Sequence, residues 1–348
     1  MAPMIMNPFR FGSAAGVGGW VELARTTLGG AETSITVSSL DNKRYYMVLC
    51  PITAHVAGGT DSNWQFNNDD GSNYAYRMSA NGSESTGTNK EQIFDNGSGG
   101  SRLQYSVSYI ANLAGKEKLM MTDNVVNWVS GAGGDIFRKN IVGKWDNTSD
   151  AIHTITASFL DGGGIANDEL IVLGWDPADE HTTNFWEELA SVDLAGGVSD
   201  TLSSGTFTAK KYLWVQCYLK SNSTTPTSKI RVGNGTVDSG TNYFERYSVD
   251  GGSDGTVGSI DELDAGVNID TGESEFHNMF IINRAAQDKL MIHHRVGNNL
   301  GTGDSNAPSR RENVFKWANT SNQINILQFK ADSGTYTTNS ILKVWGSD

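Results

Sequence analysis

Apolar and polar side chains alternate with a period of two along much of the chain, as in Ser106-Val-Ser-Tyr-Ile110 and His153-Thr-Ile-Thr-Ala-Ser-Phe159. Such a segment buries one face and leaves small polar groups on the other, the pattern of a half-buried antiparallel strand. Helical periodicity is rare. Gly-rich stretches such as Asp95-Asn-Gly-Ser-Gly-Gly100 and Asp161-Gly-Gly-Gly164 separate the alternating segments and supply the positive φ that tight turns require. Many short strands joined in this way predict an all-β chain of antiparallel β-sandwich domains, jelly-roll-like in type.

The pattern runs through the chain twice, as a tandem duplication. Trp20-Val-Glu-Leu-Ala answers Trp186-Glu-Glu-Leu-Ala, and Lys43-Arg-Tyr-Tyr-Met-Val-Leu-Cys50 answers Lys210-Lys-Tyr-Leu-Trp-Val-Gln-Cys217. Asn73-Tyr-Ala-Tyr-Arg-Met-Ser matches Asn242-Tyr-Phe-Glu-Arg-Tyr-Ser, and Asn112 with Lys118-Leu-Met matches Asn283 with Lys289-Leu-Met. Both copies return at Lys-Trp-x-Asn-Thr-Ser, residues 144–149 and 316–321, and close on an apolar strand. The expected organisation is an arm over 1–19, a first sandwich over 20–175, a polar linker over 176–185 and a second sandwich over 186–348, each domain being about 160 residues. Trp20/Trp186, Trp145/Trp317 and Trp175/Trp345 are read as matched core pairs, since a shared core keeps its large aromatics while duplicated ligand sites diverge. Cys50 and Cys217 fall at one repeat position inside apolar strands, as small buried hydrophobes. The Asn147 and Asn319 sequons read as turn residues.

Composition narrows the partners. The 26 Lys+Arg and 39 Asp+Glu give a net charge of −13, which lacks the electrostatic footprint for nucleic acid or an anionic membrane. No stretch reaches the roughly 20 apolar residues of a membrane span, so no membrane insertion is expected. The start of the chain has no basic residue before its short apolar patch and does not read as a signal peptide. Its Met4, Ile5, Met6, Phe9 and Phe11 form instead a candidate assembly arm.

Catalytic signatures are missing. There is no nucleophile elbow, phosphate loop or His-Glu-x-x-His. His293 and His294 are strand neighbours, so they point to opposite faces and cannot share a metal. Asp69/Asp70 and Glu187/Glu188 carry no pattern that would mark a glycosidase. Asp250-Gly-Gly-Ser-Asp-Gly255 running to Asp261 has part of a calcium-loop spacing, but glycine stands at its third position and Asp at its twelfth. No catalytic residue, metal or cofactor is expected.

The closing pattern, Lys-Trp-x-Asn-Thr-Ser followed by an alternating stretch and a strand ending Val-Trp-Gly-Ser-Asp at 344–348, resembles virion structural proteins of marine tailed bacteriophages. That resemblance implies a non-enzymatic component of the virion, as capsid decoration, tail or fibre. Its partners would be copies of itself and other virion proteins. The alternative reading is a carbohydrate-binding, lectin-like attachment protein for a host-surface glycan, with the unmatched Trp64, Trp128 and Trp214 as contacts.

Overall fold

In the computed structural model, residues 19–53, 62–95, 102–159, 163–179, 183–222, 226–266, 269–298 and 307–348 are described, and among them all regular structure is β. The arm residues Met4, Ile5, Met6, Phe9 and Phe11 lie outside these. Two compact units are present. One is formed by Phe137–Phe185 and the described residues up to Trp128, the other by Trp186–Asp348 together with Val129–Ile136.

Each unit is a sandwich of a large and a small antiparallel sheet. The large sheet of the first repeat runs, edge to edge, through Val21–Thr27, Glu169–Trp175, Tyr45–Ile52, Gln104–Ala111, Lys118–Asn127, Ile136–Trp145, Tyr74–Ala80 and Ser83–Lys90. That of the second runs in the same order through Glu187–Asp193, Ile341–Ser347, Tyr212–Lys220, Ser274–Ile282, Lys289–Gly297, Ser309–Trp317, Tyr243–Val249 and Gly255–Ile260. The smaller sheets are built around Ile155–Phe159 and Ile326–Ala331. Early and late strands interleave, so neither sandwich is complete until its last strand is in place. Asn81-Gly82 (φ 50° and 84°) turns the edge hairpin of the first large sheet, and Asp250-Gly251 (φ 51° and 77°) opens the matching turn of the second, since two successive positive φ values suit the strand twist.

The repeated anchors are pins between the two layers. Trp145 and Trp317 are buried in the cores, and their indole N–H groups donate to Asp69 at 2.6 Å and Asp238 at 2.8 Å. Asp69 also accepts from Asn73 and the Gly71 amide, and Asp238 from Asn242 and the Gly240 amide. Burial pushes both carboxyls up, but these donors outweigh it and hold them below the ordinary carboxylate range. Asn112 and Asn283 tie the large sheet to the start of the closing segment, accepting from the Ile152 and Ile324 amides. Lys118 donates to Lys116 O and Asn147 O, and Lys289 to Gln287 O and Asn319 O. Burial pushes the Lys289 ammonium down to about 8. Asn147 and Asn319 each receive two backbone amides within their own turns, as expected of turn residues. The Lys-Trp-x-Asn-Thr-Ser pattern is thus a device for closing the sandwich. Cys50 and Cys217 are both buried, and neither is in a disulfide.

One sequence pairing is corrected by register. Trp345 lies opposite Trp214, whereas the residue opposite the equivalent Met47 is Leu173. The true match is Leu173-Gly174-Trp175 with Trp345-Gly346-Ser347, so Trp175 answers Ser347. The glycines fix this alignment. A Cβ on Gly174 would meet Leu23 and Lys43 at 2.6–2.7 Å, and one on Gly346 would meet the corresponding Leu189 and Lys210 at 2.6–2.9 Å.

Candidate functional site

Three clusters could carry chemistry. The first is a polar network between the sheets of the second repeat. Alternation on neighbouring strands puts Glu275, His277, His293 and Arg295 on one inward face. His277 Nδ1 and His293 Nε2 are 3.0 Å apart, His277 Nε2 meets Glu275 at 3.2 Å, Arg295 Nε donates to Glu275 at 2.9 Å, and Asn313 Nδ2 meets His293 Nδ1 at 2.8 Å. Burial, then the Coulomb repulsion of His277 and its neighbours, pushes His293 well below its ordinary value. Burial pushes Glu275 up, but His277 and Arg295 outweigh it and hold the carboxyl low. All four side chains are buried, so the network has no route to a substrate and orders the core instead. His294 leaves the same strand on the opposite side and is half-buried, as adjacency on a strand requires.

The second is the Asp250–Asp261 stretch. Asp250 accepts from the Arg310 amide, residues Gly255–Ile260 are a strand, and Asp261 pairs with Arg231 at 3.0 Å, so the acidic positions are spread along a hairpin. Among the described residues no group of three His, Cys, Asp or Glu is arranged to hold a metal. Glu187 and Glu188 are held by Lys210 and Lys343.

The third is a groove of about 940 Å³ on the outward face of the first repeat's large sheet. One wall is aromatic. Tyr45 stacks on Trp175 at 5.4 Å, and Trp20 lies 6.3 Å from both Trp175 and Tyr109. The other wall is aliphatic, formed by Leu119, Met121 and Val142, with Arg77 and Lys144 at its margin. This corrects the reading of Trp20 and Trp175 as core residues: both are half-buried on the outward face. Sequence patterning did not mark the groove, because the residues equivalent to its aliphatic wall, Leu290, Ile292 and Val314, are also apolar in the second repeat.

The proposed glycan tryptophans do not converge. Trp64 is buried in the first core and Trp214 is buried in the second unit, its indole donating to Asn278 at 2.7 Å. Neither is therefore a surface contact. Trp128 is half-buried, packed on Phe137 and capped by the Arg102 guanidinium 3.0 Å from its ring centre.

No family model matches the sequence, and no curated protein matches it. Solved structures to which the chain is similar include the LG4-5 domains of the mouse laminin alpha1 chain, at 10% identity over 99% of this chain and 93% of that one, with a TM-score of 0.16. Others are OpdL of Pseudomonas aeruginosa (9% identity, 87% and 98% covered, TM-score 0.14) and the outer membrane protein opdK from the same organism (7%, 86% and 98%, 0.12). Scores this low carry no function or partner to this chain.

Proposed function

We propose that the protein is a non-enzymatic assembly component, of the virion structural kind that its closing pattern resembles, and that it binds a protein partner through the open face of its first repeat. The observation that carries this reading is the exposure of Leu119, Met121 and Val142 side by side at 50–60% on an otherwise regular sheet. A contiguous apolar patch of this kind marks an interaction surface, and methionine adapts readily to a protein partner. Native mass spectrometry and electron microscopy of the full-length protein, beside a form lacking residues 1–19, test it. Discrete oligomers or ordered assemblies are expected. A monomer in both forms at every concentration overturns it.

The glycan reading keeps one support, the half-exposed Trp20, Tyr45 and Trp175 wall, since sugars stack on such rings. Binding on a glycan array that is lost on Trp175→Ala, with oligomers unaffected, would favour it.

A further inference from the structure

The two large sheets present the same positions outward, yet only one of them is open. Register equates Leu119, Met121 and Val142 with Leu290, Ile292 and Val314. The first three are 55%, 60% and 50% exposed, the second three 0%, 2% and 1%. Within the second repeat's unit, this region of the sheet grips a turn, Val129-Ser-Gly-Ala-Gly-Gly-Asp-Ile136. Lys316 Nζ donates to Val129 O and Gly134 O at 2.6 Å, and Asp288 accepts from the Gly131 amide at 3.3 Å. The Ser259 amide, at a bulge of the edge strand, donates to Ala132 O at 2.9 Å. Arg246 donates to Ile136 O at 2.7 Å and pairs with Asp135 at 2.9 Å. The turn depends on its glycines, since Gly131 has φ 86° and a Cβ on Gly134 would strike Val129 O. What this sheet recognises is therefore a glycine-rich backbone that ends in an aspartate.

The open face carries the same gripping set. Lys144, Glu117 and Arg77 occupy the positions of Lys316, Asp288 and Arg246. Asn89 (φ 52°) repeats Ser259 (φ 55°) at the bulge of the edge strand. Lys144 pairs with Glu117 at 3.0 Å, a surface contact worth little and readily exchanged for the carbonyls and amide of a loop. Arg77 is exposed at the margin of the groove, and no ion pair to it is formed among the described residues. Its charge is free to meet a carboxylate, as Arg246 meets Asp135.

We propose that the open face of the first repeat is a binding site for a glycine-rich, aspartate-bearing loop of a protein partner, held as Val129–Ile136 is held on the second repeat. The inference rests on the assembly reading and adds to it the chemistry of the partner. The loop supplies carbonyls to Lys144, an amide to Glu117, a carboxylate to Arg77 and cover for Leu119, Met121 and Val142.

The probe is a cyclic peptide with the sequence of residues 128–137. Trp128 and Phe137 pack with ring centres 4.5 Å apart, so closing the ring holds the ends as the chain does. Isothermal titration calorimetry against full-length wild type, Arg77→Asp and Met121→Asp is expected to show one site per wild-type chain. Arg77 and Met121 are exposed, so these chains keep their fold, which circular dichroism verifies. Each variant is expected to weaken binding by roughly tenfold or more, through like charges or a carboxylate set against the strip. A peptide carrying Asp135→Arg should lose as much on wild type and recover to within roughly threefold on Arg77→Asp. Absence of binding, or binding equal in all three chains, overturns the loop site. If wild-type oligomers persist in native mass spectrometry beside that result, assembly stands without it. A wild type that is monomeric at every concentration and binds no peptide removes both readings.

Discussion

The two repeats share strand order, clamps and closing motif, and differ most in what lies at the same inward and outward positions of their large sheets. Inward, the second repeat places Glu275, His277, His293 and Arg295 where the first has Gln104, Ser106, Thr122 and Asn124. The first set is an ionic network. The second is neutral, with Asn124 donating to Ser106, Ser108 paired with Thr122, and Gln104 donating to Ser62. Outward, the contrast reverses in kind: the first repeat leaves its aliphatic strip open and the second buries it. The scaffold therefore accommodates a large change in polarity on its inward face and a large change in burial on its outward one, with the Trp-Asp and Asn clamps between layers kept in both copies. Duplication has kept the closing chemistry and released the faces.

Removing a clamp should have the largest effect and should strike both copies alike. Trp145→Ala and Trp317→Ala are each expected to cost about 3–5 kcal/mol, measured by urea unfolding, because each opens a large cavity and deprives a carboxylate of its donor. A strongly unequal response would break the equivalence of the two sandwiches. The inward faces should then separate. Arg295→Ala strands a buried carboxylate and is expected to cost about 3–5 kcal/mol, whereas the equivalent Asn124→Ala should cost about 1–3 kcal/mol, by the same measurement.

Acid should separate them further. His293 is held neutral, below its ordinary value of 6.5, so below that pH the unfolded chain binds a proton that the folded chain refuses. Glu275 is held ionised, and its contribution is lost as pH falls through its lowered value. Both effects take stability from the second repeat as pH drops. Unfolding midpoints measured against pH should fall below about 6.5, and His293→Thr, which installs the first repeat's residue, should flatten that slope while lowering the midpoint near neutrality. A slope unchanged in the variant would remove His293 as its origin. The smallest effect concerns the outward faces. Met121→Asp should change unfolding free energy by no more than about 0.5 kcal/mol in the monomer, while Ile292→Asp should cost about 3 kcal/mol or more because its carboxylate would be buried.

Much of the fold was legible from sequence. Alternation gave the strands, and Asn112/Asn283, Lys118/Lys289 and Trp145/Trp317 marked both copies because a buried polar clamp leaves little freedom in residue type. The last strand misled the alignment. Two tryptophans near the ends of the copies invite pairing, yet the shared feature is the glycine covered by Leu23 and Lys43 in one copy and by Leu189 and Lys210 in the other, which carries no signal of its own. Trp64 and Trp214 looked like ligand contacts because they were unmatched. They are buried, Trp64 in the first core and Trp214 against Trp186, Phe280 and Trp345. The groove was illegible for a simpler reason: Leu119 and Leu290 are the same residue, and burial is a property of what stands opposite. The His277–His293 contact was hidden in the same way, since the two lie 16 positions apart and meet only across a strand diagonal.

The single buried thiol of each repeat has a practical consequence. Cys50 and Cys217 sit at the same depth in separate cores, and burial, with the nearby Glu275 charge, pushes the Cys217 thiol well above its ordinary value. A thiol reagent reaches either sulfur only when that sandwich opens. With Cys50→Ala or Cys217→Ala, the rate of labelling becomes a clock for the opening of one chosen repeat, so the chain carries a separate reporter of local breathing in each half.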